Sequence, residues 1–156
     1  MEFRNETTLL QEVYKGAKMG SDALNQILPK VENPGLRSDL QVQLQQYENT
    51  SAEAVRQLKA LNKCPHPLPG VEKAMLWGAV QGQTLLNKET SHLAEMVIQG
   101  SNMGIVNLTK VLNSYAPVGA METGAVAERR KQARTLAQQA ITNEQESIAR
   151  LKGYLQ

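Results

Sequence analysis

The chain carries one cysteine, Cys64, among its 156 residues, which excludes an internal disulfide and leaves the fold to packing. Aromatic residues make up only 4%, and a β-sandwich draws on more aromatic and β-branched side chains than that. The net charge of +2 is too small to single out a polyanion, so no nucleic-acid partner is expected. No apolar run reaches the ~18 residues of a membrane span. The start, Met1-Glu2-Phe3-Arg4-Asn5-Glu6, lacks the basic-then-apolar pattern of a secretory signal. A cytoplasmic protein without a membrane span is the expectation. What is present is an ordinary balance of 41% hydrophobic and 21% charged residues, enough for a single domain with its own core over residues 1–156.

Proline and glycine divide that domain. Pro29 and Val31-Glu32-Asn33-Pro34-Gly35 make one break, Cys64-Pro65-His66-Pro67-Leu68-Pro69-Gly70 a second, and Ala116-Pro117-Val118-Gly119 a third. Proline removes a helical hydrogen bond and clashes with the preceding turn, so each break ends a helix. Between them, apolar or small residues recur at steps of three and four. Leu9, Val13, Gly16, Gly20, Leu24 and Ile27 form the seam of a helix over Glu6–Leu28. Leu40, Leu44, Tyr47, Ser51, Ala54, Leu58 and Leu61 do so over Leu36–Asn62, and Ala133, Leu136 or Ala137, Ala140, Glu144, Ser147, Leu151 and Tyr154 over Gly124–Leu155. This spacing suits helices packed at shallow angles. One helix over Val71–Tyr115 would run to roughly 65–70 Å at 1.5 Å per residue, out of scale with its neighbours. The polar stretch Asn87-Lys88-Glu89-Thr90-Ser91 therefore separates a helix Val71–Leu86 from one over Glu89–Ser114, with Thr90 or Ser91 as its cap.

The first and third long helices align on Gly16-Ala17-Lys18-Met19-Gly20 and Gly100-Ser101-Asn102-Met103-Gly104. The second and fourth align more loosely, through Gln45-Gln46 with Gln138-Gln139 and Leu58-Lys59 with Leu151-Lys152. The pattern reads as two helical hairpins joined by a connection containing Val71–Leu86. Each helical glycine costs roughly 1 kcal/mol relative to alanine. The pairs therefore point to close approach by a backbone or a bulky side chain, or to an opening for a ligand beside Gly16 or Gly100.

Two hairpins joined by a crossover, at this length, resemble the ferritin-like superfamily of four-helix bundles. The resemblance is to uncharacterised bacterial members that lack a complete di-iron ligand set. It implies an all-α fold, an antiparallel four-helix bundle with an additional connecting helix. The di-iron members place a Glu on each of two helices and Glu-x-x-His on the other two, spaced so that both side chains share one face. Here the first helix offers Glu12, and the second Glu48-Asn49-Thr50-Ser51, with serine at the histidine position. The third offers Glu89-Thr90-Ser91-His92 or Glu95, and the fourth Glu144-Gln145-Glu146-Ser147, again ending in serine. The pattern is incomplete.

The leading expectation is thus a non-enzymatic bundle with a structural or protein-interaction role and no cofactor. The alternative is a divergent iron or manganese protein whose degenerate site uses Glu12, Glu48, Glu89, His92, Glu95 and Glu144. Glu144 stands out because it falls on an apolar seam, where a carboxylate is paired, hydrogen-bonded or protonated. Ser51 and Ser147 are its expected polar neighbours. Cys64 and His66 fall short of the four ligands of a structural zinc site. Glu128-Arg129-Arg130-Lys131 with Arg134 reads as a solvated helix face. Met75, Leu76 and Trp77 offer either a cover for the core or an apolar contact for a second subunit, and a homodimer is the expected assembly.

Overall fold

The structure, a computed structural model, describes residues 6–115 and 124–156, with only the backbone of Val71, Ala74, Trp77, Gln83, Leu85 and Leu86. The described residues form helices α1 (Glu6–Ile27), α2 (Pro34–Ala60), α3 (Gly70–Leu86), α4 (Thr90–Asn113) and α5 (Ala125–Leu151). Short 3-10 turns follow α1 at Leu28–Lys30 and α5 at Lys152–Tyr154, and there is no strand among the described residues. The break at 116–119 and the side chain of Trp77 lie outside the described residues.

The helix ends follow from local chemistry. Pro29 sits in the tight turn after α1. Asn33 caps α2, its Oδ1 accepting from the Leu36 N–H at 2.9 Å, and Pro34 takes the first helical position, where no N–H is needed. At the far end Asn62 adopts φ 58°, a left-handed conformation asparagine tolerates. It lets the Lys63 N–H reach back to the Leu58 carbonyl at 2.9 Å. The break between α3 and α4 falls at Asn87-Lys88-Glu89, where Asn87 Oδ1 accepts from the Glu89 N–H at 2.8 Å. The cap expected from Thr90 or Ser91 is not formed. Glu89 occupies that position without a side-chain bond, because the chain turns into the helix one residue early.

α1 lies along α2, and α4 along α5; α1 also packs on α3, α4 and α5, and α2 on α5. Contacts fix the directions. Gly20 meets Tyr47 while Gln11, two turns earlier, meets the loop at Cys64, so α1 and α2 run antiparallel. Gly104 meets Glu144 while Ser91 meets Gln156, so α4 and α5 do too. α3 docks through Val80 and Leu76, which pack on the apolar interior, and through polar contacts with the first hairpin. The Lys30 ammonium donates to Gln81 Oε1 at 2.7 Å and to Thr84 Oγ1, and Lys15 pairs with Glu72 at 3.1 Å.

The apolar interior is two clusters rather than one. One gathers Leu9, Leu10, Val13, Ala54, Leu58, Leu108, Val111, Ala133, Leu136 and Ala137. The other gathers Leu24, Ile27, Leu36, Leu40, Val80, Leu93, Val97 and Leu151. Truncating a wholly buried leucine such as Leu9, Leu40 or Leu93 to alanine costs about 2–5 kcal/mol. Between the clusters lies a layer of buried polar groups.

Candidate functional site

That layer is built from α2, α4 and α5. Gln43 and Tyr47 stand one turn apart on α2, Ser101 comes from α4 and Glu144 from α5. The Gln43 amide donates to the Tyr47 hydroxyl at 3.0 Å and to Ser101 Oγ at 3.1 Å. The Tyr47 hydroxyl in turn donates to Glu144 Oε1 at 2.6 Å, a short bond of the charge-assisted kind. Glu144 is only 6% exposed. Burial pushes its carboxyl up to about 7, although the Tyr47 hydroxyl and the nearby Gln43 amide pull it back down. Burial and the adjacent Glu144 drive the Tyr47 phenol strongly upward, so it remains a neutral donor.

Two glycines make the layer possible. A β-carbon at Gly20 would stand 2.5–2.8 Å from three carbons of the Tyr47 ring, and one at Gly104 would stand 2.7 Å from Glu144 Oε2. The aligned glycines of α1 and α4 thus each accept a side chain from the other helix of their hairpin. The approach is by side chain, not backbone. At Gly16 and Gly100, and at Gly78 and Gly82 of α3, an added β-carbon would meet nothing within 4 Å, so close approach explains only Gly20 and Gly104, the second glycine of each aligned pair.

Glu144 also lines a cavity of about 110 Å³. Its walls are Glu12, Val13, Lys15, Gly16, Ala17 and Met19 of α1 and Gly104, Asn107, Leu108 and Val111 of α4. Gln46, Tyr47 and Thr50 of α2 and Ala140, Asn143 and Glu144 of α5 complete it. Gly16 and Asn107 are its exposed lining residues, which places the mouth between α1 and α4. Glu144 Oε1 is occupied by Tyr47, whereas Oε2 has no hydrogen-bond partner among the described residues. Gln46 Oε1 is buried and also lacks one.

Of the six carboxylate and histidine residues singled out in the sequence, Glu12 and Glu144 share this cavity. Glu48 is exposed on α2, and Glu89 is exposed at the start of α4. Glu95 is exposed, accepting from Gln99 at 3.4 Å. His92 is half-buried, with Nε2 enclosed and without a partner. Among the described residues no group of three or more His, Cys, Asp and Glu gathers to hold a metal ion. Nor do the expected serines serve Glu144. Ser51 Oγ bonds the Glu48 carbonyl, and Ser147 Oγ accepts from Arg150.

The remaining motifs have structural roles. Gln11 clips the proline-rich loop to α1, donating to the Cys64 carbonyl and accepting from the His66 N–H, both at 2.8 Å; the Cys64 thiol is free and exposed. The basic stretch of α5 is only partly solvated. Arg130 reaches Glu6 at 3.8 Å, and the Arg134 guanidinium stands 5.6 Å from the centre of the Tyr115 ring. Met75 is exposed on α3, and Leu76 packs on the second cluster. No described helix is long and apolar enough to cross a membrane.

No protein-family model, curated protein or solved structure matches the chain.

Proposed function

We propose that the chain is a ferritin-like bundle of two antiparallel hairpins, with α3 in the crossover, and that it works by binding rather than catalysis. In this reading the cavity beside Gly16, Gly104 and Glu144 holds a small organic ligand. The single observation that carries it is the coincidence of that cavity with a buried carboxylate whose second oxygen is unengaged. Binding pockets combine apolar walls with a few placed polar groups, and titratable groups shifted by burial gather in them. The surrounding groups restrain Glu144 instead of activating a nucleophile, since Tyr47 donates to it and Gln43 fixes Tyr47. An interaction role for the bundle as a whole is compatible with such a pocket.

A degenerate iron or manganese site is the second reading, favoured by the shared position of Glu12 and Glu144. Metal analysis of protein purified without chelator, with and without Glu144→Ala, tests it. The pocket reading is tested by methyl NMR with xenon as probe. Resonances of Ala17, Leu108, Val111 and Ala140 are expected to shift saturably, and Gly16→Leu or Ala140→Leu to suppress the shifts. Unsaturable shifts spread over the whole protein would overturn it.

A further inference from the structure

We infer that the ligand of this cavity is a small alkylammonium ion, its charged head on Glu144 and its apolar body between α1 and α4. The inference deepens the pocket reading and rests on it.

Charge balance gives the sign. The titratable groups lining the cavity are Glu12, Lys15, Tyr47 and Glu144. Lys15 is already paired with Glu72 on α3 at 3.1 Å, and Tyr47 is a neutral donor committed to Glu144. Two carboxylates therefore face the space, and the lysine beside them is held by a third. An anionic ligand would meet repulsion from both walls, whereas a cation satisfies them.

Hydrogen-bond capacity gives the head group. Glu144 Oε2 makes no hydrogen bond among the described residues, and Gln46 Oε1 is buried without a donor. A buried acceptor left unpaired, as at Gln46 Oε1, is costly, and a ligand that donates to it removes the cost. An ammonium head carries three donors and no acceptor, the complement of this pair. Gly104 keeps the approach to Oε2 open, since any β-carbon there would stand 2.7 Å from that oxygen.

Size and wall chemistry give the body. A dry cavity of about 150 Å³ holds a benzene molecule, so the 110 Å³ here suits roughly four or five heavy atoms. Val13, Ala17, Leu108 and Val111 supply the apolar wall. A methylene buried against such a wall adds roughly fourfold in affinity. Charged Glu144 is the binding form. Affinity is therefore expected to rise between about pH 5 and pH 7, as the carboxyl held near 7 loses its proton, and to level off above it.

The test is a methyl-NMR titration at pH 8 with ethyl-, propyl- and butylammonium chloride, and with butan-1-ol as the neutral counterpart. Butylammonium is expected to shift Leu108, Val111 and Ala140 saturably, and to bind at least tenfold more tightly than butanol. Glu144→Gln is expected to abolish that preference while leaving butanol binding within about twofold. Wild-type protein at pH 5.5 should lose most of it too, which removes dependence on how the variant folds. Equal binding of amine and alcohol would overturn the charge assignment and leave the pocket reading standing. So would a preference that survives Glu144→Gln but disappears in Glu12→Gln. If neither probe shifts these methyl groups, the pocket reading itself fails.

Discussion

The hydroxyl of Tyr47 on α2 donates to Glu144 on α5 across 2.6 Å, and each side chain occupies space that a glycine on a neighbouring helix leaves open. Gly20 receives the tyrosine ring and Gly104 the carboxylate. The two hairpins therefore share a hydrogen bond whose ends are seated by aligned positions of α1 and α4.

This seating predicts opposite effects for two glycines one turn apart. Gly20→Ala drives a methyl into the Tyr47 ring, which cannot retreat without releasing Glu144. A loss of about 1–3 kcal/mol is expected despite the gain in helix propensity. Gly16→Ala meets nothing within 4 Å and should gain up to about 1 kcal/mol. Urea midpoints of the two variants decide the matter, and a gain in both would contradict the seating.

Removing only the hydroxyl isolates the hydrogen bond. Tyr47→Phe keeps the ring on Gly20 but leaves Glu144 Oε1 and the Gln43 amide short of a partner. A loss of about 1–3 kcal/mol is expected, with the Glu144 carboxyl moving further up. Denaturation combined with carboxyl-carbon NMR titration measures both effects. An unchanged Glu144 titration would show that Tyr47 does not hold the carboxylate.

The stability of the protein should fall as pH rises from about 4.5 to about 7. The Glu144 carboxyl is raised from 4.5 to about 7 in the folded state. The native protein thus holds a proton that the unfolded chain releases, and stability is lost as pH climbs through that interval. The full effect is roughly 3 kcal/mol, taking about 1.4 kcal/mol per pH unit. Above pH 7 the contribution is flat. Glu144→Gln should remove this slope and leave the variant more stable than wild type at pH 8. Denaturant titrations at pH 5, 6, 7 and 8 provide the comparison, and parallel curves for the two proteins would exclude it.

The contacts of α3 predict a helix less firmly held than the hairpins. Lys30→Met removes the donors to Gln81 and Thr84 and should raise amide exchange in α3 by roughly five- to tenfold, a loss of about 1 kcal/mol. Lys15→Met should do less, since an exposed ion pair contributes at most about 1 kcal/mol. Exchange measured residue by residue should leave α2 and α5 unaffected. Uniform acceleration across the chain would indicate global destabilisation instead.

The helical architecture was legible because its signals are local. Proline breaks and three-four spacing located α1, α2 and α5 to within a few residues, and the polar Asn87-Lys88-Glu89 stretch marked the division between α3 and α4. The seam of α5 was read nearly residue for residue, including buried Glu144. The partners of Glu144 were not legible. Tyr47 appeared in the sequence as an apolar seam residue, because nothing in a single chain shows that its hydroxyl meets a carboxylate 97 positions away. Gln43 falls outside the seam drawn through Leu40, Leu44 and Tyr47, yet it is 1% exposed while neighbouring Val42 is 48% exposed. Helix rotation of one position decides that exchange, and only the packing of α2 against α1 and α5 sets the rotation. Glycine spacing showed that space was reserved, but not which glycine of each pair would use it.

The polar layer also restricts how the helices slide. Leucine and alanine seams tolerate axial displacement by a whole turn, because one small or apolar residue replaces another at every step. A shift of α2 along α1 by about 5.4 Å would take the Tyr47 ring off Gly20 and strand Glu144 in the interior. The same shift of α5 along α4 would carry the carboxylate off Gly104, against Leu108 in one direction and away from the Tyr47 hydroxyl in either. The buried tyrosine and carboxylate thus act as an index mark between two otherwise slippery apolar halves, selecting a single register for both hairpins.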